Sequence, residues 1–261
     1  MAISSCPNEY VSFAHTLANE SEKILMKYFR SKINVQSKKD NTPVTVADTE
    51  SESLIRNLIA KKYPKHGILG EEYENNYNNE EFTWVIDPID GTRSFIAGHK
   101  DFGTLISLLH NEKPILGIIN CPAHNERWQG SINDPTLLNG DIAKTSDIKA
   151  LEDCYSFTSG LYFEDEKFKK LYDRLIGKIK YYRFGGDCYM YGMLASGFID
   201  IVVEDTLKTH DYMALIPVIE GAGGAVSDRF GKKINLNSDG SLVASCSQGI
   251  HREVIKILNS Q

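Results

Sequence analysis

The chain has 261 residues, of which 41% are hydrophobic and 25% are charged, a composition typical of a globular protein rather than a disordered one. Its formal net charge is -6 and no block of basic residues occurs, so the sequence argues against nucleic acid as a partner. The length fits one large domain or two smaller ones that share an interface.

The sequence also indicates the cellular compartment in which the protein is expected. Its five cysteines are widely spaced and form no CxxC pair, which favours reduced thiols in a cytoplasmic protein over a disulfide framework or a zinc site. We find no basic segment followed by an apolar run, as in a signal peptide. We also find no apolar run near the roughly 20 residues of a membrane span. We therefore predict no membrane partner.

The first half of the chain predicts two helices followed by strands. Apolar residues recur at helical spacing over residues 8–30 and again from about 48 to 62, where Pro64 ends the pattern. We expect both apolar faces to pack on the protein's own core. The polar segment between the helices, KKDNTPVTVAD, predicts a loop. Strands are predicted at residues 68–69, 84–86, 103–109, 115–120 and 127–129, with a turn at 111–114.

The second half alternates strands with helices. Strands are predicted at residues 156–158, 181–183, 199–203 and 242–245, and helices at 165–176, 188–196, 212–220 and 250–258. This alternation is typical of an α/β arrangement with a parallel or mixed sheet. The predicted fold class is therefore α/β, with an N-terminal α+β lobe at residues 1–138 and a C-terminal α/β lobe at 139–261.

One stretch combines several chemical signals. Residues 84–95 read WVIDPIDGTRSF, in which Asp87 and Asp90 follow a hydrophobic strand. Gly91 permits close approach of the backbone, and Thr92 begins a predicted helix whose N–H groups attract anions. Hard carboxylate oxygens beside an anion site suit Mg²⁺ that also contacts a phosphate. The alternative is a surface Asp-Pro turn followed by a helix cap.

Other acidic residues stand at the ends of predicted elements. Glu71 and Glu72 follow a short apolar run in GEE, Asp48 stands at a predicted helix start, and Asp211 begins another predicted helix. Each alone is consistent with a cap or a solvated acid. Together with DPIDGT, they favour a shared metal site.

These motifs resemble the inositol-monophosphatase-like family of metal-dependent phosphatases. The resemblance rests on PVTVAD, GEE, DPIDGTRSF and HDYMALIPVIEGAGG, which follow the family's order and span residues from about 38 to 224. It implies a layered αβαβα sandwich with the active site between two lobes. It also implies a small phosphate ester as the substrate and a homodimer as the assembly.

The resemblance implies a set of metal ligands and two or three Mg²⁺ ions. Glu71, Asp87 and the backbone carbonyl of Ile89 would hold the first ion. Asp87, Asp90 and Asp211 would hold the second, and a third, weaker ion would lie near Glu71 through waters. Metal binding lowers the pKa of water, which supports in-line attack without a covalent phosphoenzyme.

The resemblance also implies catalytic and phosphate-binding residues. Asp48 and Thr92 match the pair that orients and deprotonates the attacking water, and Glu71 is counted with them as catalytic. The backbone N–H groups of Gly91 and Thr92 would bind the phosphate. Glu72 would have a supporting role.

Two positions remain open in this assignment. A loop lysine near the metals falls at Lys38 or at the adjacent Lys39. His210 stands where the family often has an aromatic residue, and it is disfavoured as a Mg²⁺ ligand because Mg²⁺ prefers oxygen.

Within the family, the chain looks most like the histidinol-phosphate phosphatases. The stretches that carry this likeness are FGTLISLL, PILGIINCPAHNERWQG and RFGGDCYMYGMLASGFIDIVVEDTLKTHDY. Inositol phosphatases more usually have GTxNF where this chain has GTRSF. They also lack a matching acid at Asp187.

Three residues are candidates for substrate binding. Asp187 and Glu204 would recognise the cationic leaving group of histidinol phosphate through charge-assisted hydrogen bonds. The alternatives are a helix N-cap for Asp187 and a solvated acid for Glu204. Arg93 would close over the substrate or form a surface salt bridge.

The sequence therefore predicts a Mg²⁺-dependent phosphomonoesterase that acts on L-histidinol phosphate. An inositol-1-phosphate or broad sugar-phosphate phosphatase is the alternative within the same class. From another class, the alternative is a non-catalytic protein that binds phosphate or metal.

Overall fold

The computed structural model describes residues 4–38, 42–160 and 163–260. The helices in these ranges are α1 (Asn8–Tyr28), α2 (Val46–Lys62), α3 (Thr92–Ile96), α4 (Glu166–Ile176), α5 (Asp187–Ala195), α6 (Thr209–Tyr212), α7 (Leu215–Gly221) and α8 (Gln248–Leu258). The strands are β1 (Val35–Ser37), β2 (Pro43–Thr45), β3 (Gly67–Gly70), β4 (Phe82–Asp90), β5 (Gly103–His110), β6 (Lys113–Cys121), β7 (Glu126–Ser131), β8 (Leu137–Leu138), β9 (Asp141–Ile142), β10 (Tyr155–Thr158), β11 (Tyr181–Phe184), β12 (Ile201–Glu204), β13 (Ala225–Ser227) and β14 (Leu242–Ser245).

Most strands belong to one of two sheets. A seven-stranded sheet contains β3 to β9 in chain order, with β3 parallel to β4 and the remaining neighbours antiparallel. The other sheet has the order β11-β10-β12-β14-β13, in which β10 is parallel to both β11 and β12 while β14 is antiparallel to its neighbours. The predicted mixed sheet in the second half of the chain is therefore confirmed.

The helices and sheets form alternating layers. α1 and α2 pack on one face of the seven-stranded sheet, where Leu17, Ile55 and Trp84 share a core cluster. α5 and α7 lie between the two sheets, and α4 and α8 cover the outer face of the five-stranded sheet. Each fully buried leucine or isoleucine in such a core stabilises the fold by about 1.5–3 kcal/mol. The αβαβα sandwich is therefore confirmed.

The segment around PVTVAD is more regular than the sequence predicted. It contains β2, which pairs with β1, and the first turn of α2. α2 begins at Val46 because Thr45 is its N-cap, so Asp48 lies inside the first turn rather than at the helix start. The predicted loop between the first two helices is wrong in this respect.

β4 is longer than predicted and continues through Pro88 to Asp90. A register shift between Asp87 and Asp90 interrupts its pairing with β5. Such an irregularity accommodates a proline, which has no N–H to donate to the ladder. Asp87 is only 2% exposed, so the alternative of a surface Asp-Pro turn is wrong.

The remaining differences concern short elements. The helix predicted at residues 212–220 is divided into α6 and α7, and β8, β9 and β13 were not predicted. The turn predicted at 111–114 is narrower, because β6 already begins at Lys113. β9 extends the seven-stranded sheet to Ile142, past the predicted lobe boundary, and the division into two lobes stays a prediction.

Two expectations about the whole chain can be compared with the structure. The five cysteines are buried and free of disulfides. Within the described ranges, no helix has both the length and the apolar character that crossing a membrane requires.

Candidate active site

Acidic side chains from distant parts of the chain meet at the C-terminal end of β4. β3 runs parallel to β4, so Glu71, which follows β3, lies at the same edge of the sheet as Asp87. Asp90 ends β4 itself, and α6 packs on β4 and brings Asp211 to this edge. The first turn of α2 contributes Asp48.

The carboxylates form two groups with the spacing of metal ligands. Single oxygen atoms of Asp87, Asp90 and Asp211 all lie within 4.8 Å of one another. A second group with the same spacing contains Glu71, Asp87 and a ring nitrogen of His210. Ligands of an octahedral Mg²⁺ lie about 2.1 Å from the ion, and hence about 3–4 Å from one another. Asp87 belongs to both groups.

The electrostatics of this cluster favour a bound cation. Burial raises the pKa of Asp87 well above its ordinary value, and the charges of Glu71 and Asp90 raise it further. Burial does the same to the pKa of Asp90, reinforced by Asp187 and Asp211. A divalent ion held between these carboxylates would relieve the repulsion between like charges. The residues present therefore fit Mg²⁺.

Asp48 uses its two oxygens for different purposes. Its Oδ2 accepts hydrogen bonds from the backbone N–H and the hydroxyl of Thr45, at 2.8 and 2.5 Å, and so completes the cap of α2. Its Oδ1 lies 3.2 Å from the hydroxyl of Thr92. Burial raises the pKa of Asp48, although the hydrogen bonds from Thr45 oppose this. Asp48 is therefore both a capping residue and the partner of Thr92.

Hydrogen bonds within the turn from Asp87 to Thr92 stabilise its conformation. The N–H of Ile89 donates to Asp87 Oδ1 at 3.0 Å, and the Ile89 carbonyl accepts from the Thr92 hydroxyl at 3.0 Å. A carbonyl oxygen has a second lone pair, so this bond leaves capacity for another partner. The role of the Ile89 carbonyl as a metal ligand stays a prediction.

Gly91 connects β4 to α3 and cannot readily be replaced. Its φ of +81° lies in the left-handed region, which disfavours residues with a side chain. A Cβ at this position would lie 2.9 Å from the backbone oxygen of Asp101 and 3.0 Å from Cβ of Asp187. The glycine therefore permits both the turn and the close approach that the sequence indicated.

The loop after β3 is held by a lysine. Lys38 Nζ donates to Glu71 Oε1 at 2.6 Å and to Glu72 Oε1 at 2.7 Å. Burial alone would lower the pKa of Lys38, but the bonds to both glutamates outweigh it and raise that pKa. Burial raises the pKa of Glu72 to about 7, against the effect of Lys38. Lys38 thus contacts the metal region, and Lys39 lies outside the described residues.

Glu52 supports the same loop and was not identified from the sequence. It is fully buried in α2, and its Oε2 accepts the backbone N–H groups of Glu71 and Glu72 at 3.1 and 2.8 Å. Arg56 donates to the other oxygen at 2.7 Å. The one sequence signal was the i, i+4 spacing of Glu52 and Arg56, which is also common on solvated helix faces.

Asp187 is the first residue of α5, yet its side chain does not cap that helix. The N-cap is Gly186, which makes no side-chain bond, and the N–H of Cys188 donates instead to Asp90 Oδ2 at 2.5 Å. The Asp187 carboxylate accepts a hydrogen bond from the hydroxyl of Ser94 at 2.6 Å. Burial raises its pKa, although the bond from Ser94 opposes this. The alternative reading of Asp187 as an N-cap is therefore wrong.

Glu204 lies at the end of β12 and is only 6% exposed, so it is not a solvated acid. Its carboxylate accepts hydrogen bonds from the backbone N–H of Ser159 at 3.1 Å and from the hydroxyl of Tyr191 at 2.7 Å. Burial raises the pKa of Glu204 to about 7. Both oxygens thus have partners within the protein, and a direct contact with substrate stays a prediction.

A cavity of about 580 Å³ opens beside Ser94 and Gly186. Arg93, the third predicted substrate-binding residue, lines it, as does Asp101. Asp101 accepts from His124 Nε2 at 2.9 Å, and the His124 ring in turn stacks on Tyr189 with centroids 4.0 Å apart. Asp101 was not identified from the sequence, because a single acid in HKDF carries no motif.

The chain matches the model of the inositol monophosphatase family over residues 7–261. With this fold and this cluster of carboxylates, the match shows that the chain belongs to the inositol monophosphatase family. The family resemblance in the sequence is thereby confirmed.

Relatives in this family have several names. The chain is 41% identical to the chloroplastic bifunctional phosphatase IMPL2 of Arabidopsis thaliana, a match that covers 91% of this chain and 69% of that protein. It is 35% identical to a histidinol-phosphatase of Chlorobaculum parvum, over 92% of this chain and 93% of that protein. It is also 27% identical to a fructose-1,6-bisphosphatase/inositol-1-monophosphatase of Thermotoga maritima, over 95% of each.

Solved structures support the fold. An inositol monophosphatase from Zymomonas mobilis matches with a TM-score of 0.90 and 36% identity, covering 98% of this chain and all of that one. An inositol monophosphatase from Thermotoga maritima matches with a TM-score of 0.86 and 27% identity, covering 96% and 97%.

Proposed function

We propose that this member of the family is a Mg²⁺-dependent phosphomonoesterase that hydrolyses L-histidinol phosphate to L-histidinol and phosphate. The observation that carries the proposal is the position of Asp187. This carboxylate lies against Gly91, at the proposed phosphate site, and beside the cavity of about 580 Å³. It is directed to Ser94 rather than to its own helix.

The residues of the carboxylate cluster would hold the metal and prepare the reaction. We assign Glu71, Asp87 and the Ile89 carbonyl to one Mg²⁺, and Asp90 and Asp211, with Asp87 shared, to another. Bound Mg²⁺ supplies an activated water and neutralises the charge of the phosphate.

Asp48 and Thr92 form the second part of the proposed mechanism. The Thr92 hydroxyl, which contacts Asp48 and the Ile89 carbonyl, would orient the attacking water. Asp48 would accept the proton that the water loses. The N–H groups of Gly91 and Thr92 would hold the phosphate for in-line attack. Glu71 completes the catalytic set.

The charge of the leaving group supports histidinol phosphate as the substrate. Histidinol carries an ammonium group and an imidazole, whereas inositol carries only hydroxyls. Burial raises the pKa of Asp187, and a cation bound beside it would favour the ionised carboxylate. Charge-assisted hydrogen bonds to such a carboxylate are about twice as strong as neutral ones. Arg93 would close the cavity over the substrate.

The test is phosphate release from L-histidinol phosphate and from inositol-1-phosphate, each with Mg²⁺ and with EDTA. We expect Mg²⁺-dependent release with a strong preference for histidinol phosphate. Asp187→Asn should reduce that preference at least about tenfold, the effect of losing one charge-assisted bond. Ser94→Ala, which keeps the carboxylate, should retain most of the preference.

Other outcomes would redirect the proposal. A preference for inositol-1-phosphate would match relatives that are named inositol monophosphatases and would contradict the role of Asp187. Release from neither ester with Mg²⁺ would contradict the phosphatase assignment for these substrates and favour a binding protein.

A further inference from the structure

His210 lies inside the carboxylate cluster, where oxygen ligands alone were expected. A ring nitrogen of His210 and single oxygens of Glu71 and Asp87 lie within 4.8 Å of one another. The side chain of His210 is only 13% exposed. A half-buried imidazole among carboxylates changes the set of atoms available to a metal from oxygen alone to nitrogen and oxygen.

The backbone around His210 is held in place. His210 lies in the short helix α6, whose first turn is closed by a bond from the N–H of Lys208 to Asp211 Oδ2 at 2.7 Å. Tyr212, two residues after His210, is 2% exposed, and its hydroxyl donates to the carbonyl of Asn235 at 3.1 Å. The direction of the imidazole is therefore set by packed neighbours rather than by a loose surface loop.

The neighbouring carboxylate does not account for this position by itself. His210 Nε2 lies 3.5 Å from Asp211 Oδ1, which is longer than an ordinary charge-assisted hydrogen bond. Asp211 Oδ2 already accepts the N–H of Lys208. A metal ion bound between them would give the imidazole of His210 and the carboxylates of Glu71 and Asp87 a common partner.

The two groups of ligands therefore differ in chemistry. Asp87, Asp90 and Asp211 offer only hard carboxylate oxygens, the ligands that Mg²⁺ prefers. Glu71, Asp87 and His210 offer two carboxylates and an imidazole, a set that suits zinc and other late first-row metals. Affinity for such sets rises from Mn²⁺ through Co²⁺ to Cu²⁺, and Zn²⁺ also binds strongly.

We propose that His210 joins Glu71, Asp87 and the Ile89 carbonyl as a further ligand at their metal position, so that this position binds Zn²⁺ or Co²⁺ more tightly than Mg²⁺. The oxygen-only group lacks this nitrogen and keeps the donor atoms that suit Mg²⁺. The two positions thus have different metal preferences although they share Asp87. This inference rests on the proposed metal-binding function, and it adds the class of ion that one position takes.

The test is direct metal binding to the metal-depleted full chain. Zn²⁺ affinity is measured by competition with a chromophoric chelator, Co²⁺ by its visible absorption, and Mg²⁺ by calorimetry. In His210→Phe we expect the dissociation constant for Zn²⁺ to rise at least about tenfold, the lower end of effects seen even for residues that only support a ligand. The constant for Mg²⁺ should change by less than the constant for Zn²⁺.

A second histidine–carboxylate pair provides the matched control. His110 Nε2 lies 3.2 Å from Glu81 Oε1, at the far end of β5 from the cluster. His110→Phe removes a histidine of similar setting and should leave the Zn²⁺ constant unchanged. Equal Zn²⁺ affinity in His210→Phe and the wild-type chain would overturn the inference.

X-ray absorption of the zinc-loaded wild-type chain tests the same ligand without a substitution. Scattering from an imidazole ring is expected, and a shell of oxygen alone would overturn the inference even if His210→Phe failed to fold. If the His210 inference fails but the wild-type chain still binds Mg²⁺, the proposed phosphatase function is not contradicted. Absence of any divalent binding to the wild-type chain would instead contradict the metal site itself, and with it this inference.

Discussion

The carboxylate of Asp90 accepts a hydrogen bond from the backbone N–H of Cys188 at 2.5 Å, and thereby ties the end of β4 to the first turn of α5. One oxygen of this proposed metal ligand therefore also serves as a helix cap. α5 carries Asp187, which we propose contacts the substrate, and Tyr191, which donates to Glu204. The metal region and the proposed leaving-group region are thus joined through a single side chain.

This relationship predicts the effect of Asp90→Asn. An amide oxygen can still accept the N–H of Cys188, so the helix should stay in place while the negative charge is lost. We expect Mg²⁺-dependent phosphate release to fall at least about 100-fold, with unchanged circular dichroism. Asp141→Asn, at an exposed position in β9, is the control. Turnover equal to that of the wild-type chain would defeat the proposed metal site.

We predict that turnover depends on the hydroxyl group of Thr92 more than on the branched shape of its side chain. Thr92→Val keeps the branched side chain but cannot donate to Asp48 or Ile89, whereas Thr92→Ser keeps the hydroxyl. We expect kcat to fall roughly 100-fold or more in the valine variant, the usual size of an acid–base contribution, and far less in the serine variant. Steady-state kinetics with Mg²⁺ would decide, and equal losses in the two variants would contradict the role of the hydroxyl.

Site residues that stand together in a chemically recognisable motif could be identified from the sequence. Site residues that come together only when the chain folds could not. Asp87 and Asp90 stand out because two carboxylates, a proline and a glycine follow one strand. Glu52 and Asp101 do not stand out, because each is a single acidic residue with no motif around it. Only in the folded chain does Glu52 bind the GEE loop and Asp101 line the cavity.

The same limit applies to secondary structure. Long helices such as α1 were predicted closely because 21 residues give many repeats of one apolar face. β8 and β9 were missed because each has two residues, too few for a period of alternation. β4 was cut short because a proline usually ends a strand, and only the irregular pairing with β5 allows it here.

Gly91 should tolerate a methyl group less well than another glycine with positive φ. Gly140 has a φ of +96°, but a Cβ there would have no neighbour within 4 Å, so Gly140→Ala isolates the cost of the backbone conformation. That cost is about 1–2 kcal/mol. Gly91→Ala adds the clash with Asp101 and Asp187, which should cost roughly a further 1–3 kcal/mol.

Urea denaturation of both glycine variants measures this difference. Gly91→Ala should also reduce Mg²⁺-dependent turnover, because the methyl group would displace Asp187 from the proposed phosphate site. Equal free energies of unfolding for the two variants would show that the close approach at Gly91 is relieved without cost.

Glu204 is predicted to make the stability of the metal-free chain depend on pH. Burial raises its pKa from 4.5 to about 7, so the folded state binds this proton more tightly than the unfolded state. The resulting stabilisation is complete below about pH 4.5 and is lost as the pH rises through about 7, a change on the order of 3 kcal/mol. Glutamine has no such proton to lose, and it can still accept from Ser159 and bond to Tyr191.

Relative to the wild-type chain, Glu204→Gln should therefore gain stability between pH 5 and pH 8. The measurement is the free energy of unfolding in urea with EDTA at both pH values, and Glu152→Gln, at an exposed position, controls for the loss of a carboxylate as such. Asp87 and Asp90 are present in every variant, but the charge of Glu204 also raises the pKa of Asp90. The pH-dependent difference from wild type therefore contains the titration of Glu204 together with its effect on Asp90. A difference that stays constant would mean that Glu204 does not hold its proton in the folded state, and that Tyr191 and Ser159 stabilise an ionised carboxylate instead.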